Sequence, residues 1–279
     1  MDERETRSEL LPVAGRVVML SGGSTGIGAA LARRLLEEGY RLSLGGRRPR
    51  EIEAKFADFP EPPLVSKFDA LAPALADSWL KATLDRFGRV DALINNAGRM
   101  KPLSFTEGDE SALDELWAIN VKAPFRLIRL ALPYLGQSGH GRIIIVASTD
   151  AKRYRDSSVS IAYAATKHAV LALSHAAKFA GWDKGIRVTA LCPGAVDTDF
   201  IAGVPGVTPG PGRIAPTTIA EAAAFLLRNF RQARRGSLPV LIRRHLPLPR
   251  GKRFSTNRRY VRSIVLVGSR CVGNKQIGA

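Results

Sequence analysis

From about residue 16 to residue 230, short apolar runs alternate with longer stretches in which apolar side chains recur every three or four positions. The apolar runs RVVMLSG (16–22), YRLSLGG (40–46), PLVSKFD (63–69), VDALINNAG (90–98), RIIIVAS (142–148) and IRVTALCPG (186–194) read as strands. Between them, 28–39, 50–56, about 73–87, 111–134 and 161–180 read as helices; Leu31, Leu35 and Leu36 share one face of the first, and Gly39 stops it. Strands that are apolar at nearly every position are buried on both faces. Strict strand–helix alternation then predicts an α/β fold of the Rossmann type, a single doubly wound domain around a parallel sheet. Ligands of such a sheet bind beyond the carboxyl ends of its strands.

The segment 199–217 is dense in Gly and Pro and reads as a loop or lid. A helix follows at 218–230, and GSLPVLI (236–242) has the character of a closing strand. Beyond about 240 the alternation fails, although YVRSIVLVG (260–268) keeps strand character. The sequence therefore divides into an N-terminal extension (1–14), a nucleotide-binding catalytic domain (15–240) and a basic tail (241–279).

Charge sharpens that division. The chain of 279 residues carries a formal net charge of +17, but 14 of its 42 Lys and Arg lie between Arg228 and Ala279, where Asp and Glu are absent. The remainder holds 28 basic and 25 acidic residues, so the excess belongs to the tail and not to the domain. A solvated extension, a shifted reading frame and an arm for phosphate polyanions all match this composition; contact with nucleic acid or membrane through it is disfavoured. The N-terminal stretch, charged with both signs, does not read as a signal peptide, and no apolar run reaches 18 residues. Cys192 and Cys271 have neither metal-ligand nor disulfide spacing, which matches a reducing cytoplasm and predicts no metal.

SGGSTGIG (21–28) joins the first strand to the first helix. Gly22, Gly26 and Gly28 allow a tight turn and a close approach of phosphate to backbone, and the helix start behind Ser24, Thr25 and Ile27 offers unpaired N–H groups. The second strand ends LGGRRPRE, with Arg47 and Arg48 where an acid would bind a ribose hydroxyl. Guanidinium groups bind a 2′-phosphate that a carboxylate would repel, so NADP(H) is favoured over NAD(H).

Tyr163 and Lys167 stand one helical turn apart, where an ammonium would favour the phenolate and bring the phenol nearer neutral pH. Ser148 ends the strand before this helix, at the edge where the ligand belongs. Asn120 lies mid-helix among apolar neighbours, and Asn95 to Gly98 end another strand at the same edge.

These motifs together resemble the short-chain dehydrogenase/reductase family. Ser21-Gly22-x-x-x-Gly26-x-Gly28 matches its TGxxxGxG loop with Ser for Thr, Asn95–Gly98 its NNAG motif, Asn120 its active-site Asn, Tyr163 and Lys167 its YxxxK, and 193–198 its PG motif. The resemblance covers roughly residues 14–230. It implies hydride transfer between a nicotinamide cofactor and a small-molecule carbonyl or secondary alcohol, and a homo-oligomer. Tyr163 would be the general acid/base; Lys167 would hold the nicotinamide ribose and lower the Tyr163 pKa. Ser148 would bind the substrate oxygen, and Asn120 would hold a relay water. Asp69 would meet the adenine, Asn96, Ala97 and Gly98 the adenosine side, and Pro193, Gly194, Val196 and Thr198 the nicotinamide end. Fourteen residues separate Ser148 from Tyr163, slightly more than the family pattern, which leaves Thr149 as the alternative serine-position hydroxyl. The rival reading is a cofactor-binding scaffold without turnover, whose tail contacts nucleic acid or an anionic surface.

Overall fold

The computed structural model describes residues 10–154, 159–201, 212–228, 240–242 and 264–266. Its strands are β1 (Val17–Ser21), β2 (Arg41–Gly46), β3 (Leu64–Lys67), β4 (Ala92–Asn95), β5 (Arg142–Val146), β6 (Arg187–Pro193), β7 (Val240–Ile242) and β8 (Ile264–Leu266). The helices are α1 (Gly26–Glu37), α2 (Pro49–Phe56), α3 (Ala74–Phe87), α4 (Glu110–Trp117), α5 (Ala123–Gln137), α6 (Ile161–Gly181) and α7 (Pro216–Arg228). One sheet runs in the order β3-β2-β1-β4-β5-β6-β7-β8. Every pairing is parallel except β7 with β8, where Leu241 stands opposite Val265. The pattern-based strands and the doubly wound reading agree with this sheet; the segments 202–211 and 229–239, and the tail apart from 241–242 and 264–266, lie outside the described residues.

Alternation along each central strand divides its side chains between two cores. Val18, Leu20, Ile94 and Ile144 face Leu31 and Leu35 of α1, Ile52 and Phe56 of α2, and Ala223 and Leu227 of α7. Met19, Leu93, Ile143 and Ile145 face Trp79 of α3, Leu127 and Ala131 of α5, and Val170 of α6. All five residues of β1 and of β5 are buried, as sheets covered on both faces require. Chain order reverses between β1 and β4, whose neighbours run outward as β2-β3 and β5-β6, so a crevice opens at their carboxyl ends. Among the described residues no helix is long and apolar enough to cross a membrane.

One expectation needs correction. The apolar period over 111–134 predicts a single helix, but α4 and α5 are separated by a π-helical turn, Ala118–Lys122. Residue 124 is proline, and it has no N–H to give the carbonyl four residues earlier, that of Asn120. The α-helical ladder is therefore interrupted at Asn120, and a π turn of this kind often marks a functional position.

Candidate active site

Ser21, the last residue of β1, ties two sequence-distant loops together. Its hydroxyl accepts hydrogen bonds from the backbone N–H of Asn96 and of Ala97, both at 3.1 Å. The Asn96 amide returns the bond, donating to the carbonyls of Ser21 (3.1 Å) and Gly22 (3.0 Å). Ser21→Ala would leave two N–H groups without this acceptor, so we expect a loss of about 1–3 kcal/mol in urea unfolding, with Ser21→Thr neutral. Gly22 and Gly26 have φ of +79° and +53°, which a side chain resists. The α1 N-terminus just beyond has no side-chain cap and no acid in its first turn. That is a suitable seat for a phosphate.

A single crevice of about 740 Å³ starts at this loop. It gathers Gly22, Ser24, Thr25, Gly26, Ile27, Gly28, Arg47, Asp69, Asn96, Ala97, Gly98 and Thr198 along one arm, and Ser148, Tyr163, Lys167, Pro193, Gly194 and Val196 along the other. At the β2 tip Arg48 pairs with Glu51 at 3.0 Å, whereas Arg47 makes no ion pair among the described residues. Lys55 of α2 donates to the Ser24 carbonyl, bringing another cation to the loop that the sequence patterns did not single out. Asp69 accepts the Leu71 N–H at 3.0 Å, just past β3. Thr198 sits on the glycine loop: its Cγ2 would stand 3.1 Å from a Cβ added to Gly26.

Asn120 is the predicted site residue that does not line the crevice. It lies one layer behind, where its Oδ1 accepts the Arg99 N–H (2.8 Å) and its Nδ2 donates to the Arg99 carbonyl (2.9 Å) and to Thr166 Oγ1 (3.1 Å). Its side chain is thus committed to the Arg99 backbone and the Thr166 hydroxyl, and its main-chain carbonyl is the group released by Pro124. Thr166, which buttresses it, precedes Lys167 and carries no motif of its own.

At the other arm, Ser148 caps the turn Thr149–Ala151 by accepting the Asp150 N–H at 3.1 Å, and its hydroxyl donates to Asp150 Oδ2 at 3.3 Å. Tyr163 and Lys167 are buried side by side on α6, the Lys167 Nζ lying 5.6 Å from the Tyr163 ring centroid. The ammonium donates to the Val146 carbonyl at the end of β5, 2.9 Å away. Phe200, unnoticed in the sequence, covers Tyr163 with ring centroids 6.1 Å apart.

The electrostatics reverse the expected direction for the phenol. Burial pushes Tyr163 above its ordinary range; a hydrogen bond with Ser148 opposes this, and the charge of Asp150 adds to it. Burial also lowers Lys167 to about 8, which weakens the field it can exert on its neighbour. Cys192, beneath the site, is pushed up to about 11, again by burial. A shared helix face therefore places the ammonium beside the phenol, but desolvation of both groups governs their protonation.

Comparison with known proteins fits this geometry. The short chain dehydrogenase family model matches residues 16–205. An agropine synthesis reductase of Rhizobium rhizogenes is 38% identical over 187 residues, which are 67% of this chain and 43% of that protein. The chain thus spans less than half of that relative's length. The crystal structure of a 3-ketoacyl-(acyl-carrier-protein) reductase from Brucella melitensis complexed with NADH superposes with a TM-score of 0.70 at 27% identity, covering 77% of this chain and 92% of that one. An actinorhodin polyketide ketoreductase variant with NADPH gives 0.68 at 27%, covering 76% and 90%. With the family model spanning β1 through β6 and the same sheet recurring in these reductases, the chain belongs to the short-chain dehydrogenase/reductase family.

Proposed function

We propose that the protein is an NADP(H)-preferring oxidoreductase acting on a carbonyl or secondary-alcohol substrate, with Tyr163 as general acid/base. The observation that carries this reading is the convergence of Ser148, Tyr163 and Lys167 on the crevice whose far arm is the glycine loop. The loop fits a dinucleotide: its glycines leave room for phosphate, and the uncapped α1 N-terminus supplies N–H donors. When bound, the cofactor supplies or takes up the hydride at its nicotinamide ring. The residues do the rest. Ser148 hydrogen-bonds the substrate oxygen, Tyr163 gives that oxygen its proton in reduction and removes it in oxidation, and Lys167 holds the nicotinamide ribose. The carbonyl of Asn120, without an α-helical partner, holds a water behind Lys167 that restores the proton.

The names of these three relatives support the substrate class, since each is called a reductase. Their cofactors include both NADH and NADPH, so the preference rests on Arg47. Fluorescence titration tests it: NADPH should bind at least about tenfold more tightly than NADH, and Arg47→Glu should abolish the difference by weakening NADPH alone, since a charge-assisted bond to phosphate contributes about 1.5–3 kcal/mol. Equal affinities in the wild type would overturn the preference and leave the enzyme. The reaction itself is tested by NADPH consumption across a panel of aliphatic, cyclic and acyl-thioester ketones. We also infer a homo-oligomer, supported by Phe125 of α5 and Phe179 of α6, which are 51% and 74% exposed; light scattering after size exclusion checks it.

A further inference from the structure

Four arginines line the crevice, and ion pairs occupy two of them. Arg48 is paired with Glu51 at 3.0 Å and Arg99 with Glu115 at 2.7 Å. Arg47 stands at the β2 tip, where the cofactor reading uses it. Arg153 belongs to the other arm, on the loop that leaves β5 through Ser148, and has no ion pair or hydrogen bond among the described residues.

The backbone that carries Arg153 is tied down on both sides. Before it, Ser148 caps the turn Thr149–Ala151, and the Lys152 N–H donates to the Thr149 carbonyl at 3.2 Å. After it, the Tyr154 hydroxyl donates to the carbonyl of buried Val159 at 2.8 Å. The guanidinium itself is left exposed at the crevice. Around it the arm is largely apolar: Met100, Val159 and Phe200 line it, with Met100 and Phe200 packed near Tyr163. The acid of this arm, Asp150, is turned onto Ser148, its Oδ2 3.3 Å from the Ser148 oxygen. The other cation, Lys167, is bound to the Val146 carbonyl. An anion for Arg153 must therefore come from outside the chain, and a guanidinium fork receives a carboxylate or phosphate in two bonds.

We propose that Arg153 is a specificity-determining residue for substrates in which an apolar body joins the carbonyl or alcohol to an anionic oxygen group, a carboxylate or a phosphate. The reacting oxygen lies at Ser148 and Tyr163, the apolar body along Met100, Val159 and Phe200, and the anion on the Arg153 fork. This deepens the oxidoreductase reading and rests on it. Lys152, also exposed but outside the crevice lining, serves as the comparison for a charge that is merely nearby.

The test follows NADPH consumption at low ionic strength with straight-chain oxo acids of increasing separation between carbonyl and carboxylate, each beside its methyl ester. Phosphorylated hydroxyketones are run beside their unphosphorylated parents, and the better anion identifies the group. Charge-assisted bonds are the strong ones, so at the fitting separation the anion should exceed its neutral partner by about tenfold or more in kcat/KM, mainly through KM. Arg153→Leu should bring that ratio to about one. Arg153→Lys should keep part of it, since a point charge lacks the fork, and Lys152→Ala should leave it in place. Added salt should shrink the preference, because the guanidinium is exposed. Equal rates for anion and neutral partner in the wild type, a ratio that survives Arg153→Leu, or an equal loss in Lys152→Ala overturns the proposal. So does a tenfold weakening of NADPH binding in Arg153→Leu, which would assign the residue to the cofactor. Calorimetric titration of the same acids and esters onto the NADP+-loaded chain reads the contact without turnover. An acid preference there, with no ketone consumed, would sink the oxidoreductase reading and keep the anion contact.

Discussion

Tyr163→Phe is expected to lower kcat for carbonyl reduction by about a thousandfold while leaving NADPH affinity within twofold of wild type, since general acid catalysis contributes roughly 10²–10⁴ in rate. The separation follows from what the substitution removes. Phenylalanine keeps the ring that packs beside Phe200 and among Leu116 and Ala162, so the helix and the crevice wall persist. Only the hydroxyl is lost, and with it the proton proposed for the substrate oxygen. Steady-state kinetics with a reduced ketone and fluorescence titration of the same preparation read the two quantities. A scaffold that binds cofactor without turnover would be indifferent to the change, and a loss of less than tenfold in kcat would remove Tyr163 from the role of proton donor.

Gly28→Ala should be the most damaging small substitution in the nucleotide arm. A Cβ there would stand 1.8 Å from the Gly22 carbonyl oxygen and 2.6 Å from the Asn96 amide nitrogen. The first is backbone, and the second is bonded to two carbonyls of the same loop, so neither can swing aside. The loop must open, breaking the ties that Asn96 makes to Ser21 and Gly22. Overpacking of this kind costs about 1–3 kcal/mol, which in a domain of this size lowers Tm by roughly 3–10 °C. Cofactor affinity should fall further than stability, by at least about a hundredfold, because the same backbone forms the proposed phosphate seat. Calorimetry and NADPH titration check the two effects; a variant with wild-type affinity would show that the phosphate seat lies elsewhere.

The parts of this molecule legible in the sequence are those set by local pattern or by residue type at an edge. β1 and β5 were readable because burial on both faces leaves an unbroken apolar run. The crevice residues were readable because a parallel sheet delivers the ends of its strands to one side, so Gly22, Asn96, Ser148 and Pro193 meet there whatever the intervening loops do. What escaped depends on long-range packing. The apolar period of 111–134 counts side chains and is blind to a backbone ladder broken by Pro124, so the π turn at Asn120 did not register, though the proline was the signal. Charge spacing placed Lys167 near Tyr163 but could not give the desolvation that raises one and lowers the other. The contact of Asp150 with Ser148 was hidden because it exists only in the tight turn that folds the carboxylate back.

The central claim is hydride transfer in this crevice with Tyr163 supplying the proton, and isotope transfer tests it most directly. The full chain would be incubated with NADPH deuterated at nicotinamide C4, in each of its two epimers, and with whichever ketone is consumed in the panel. The account predicts that one epimer places deuterium on the carbinol carbon of the product, and that Tyr163→Phe, with cofactor still bound, suppresses its appearance about a thousandfold. Contradiction would be product in which neither epimer leaves deuterium on that carbon, or full transfer by Tyr163→Phe.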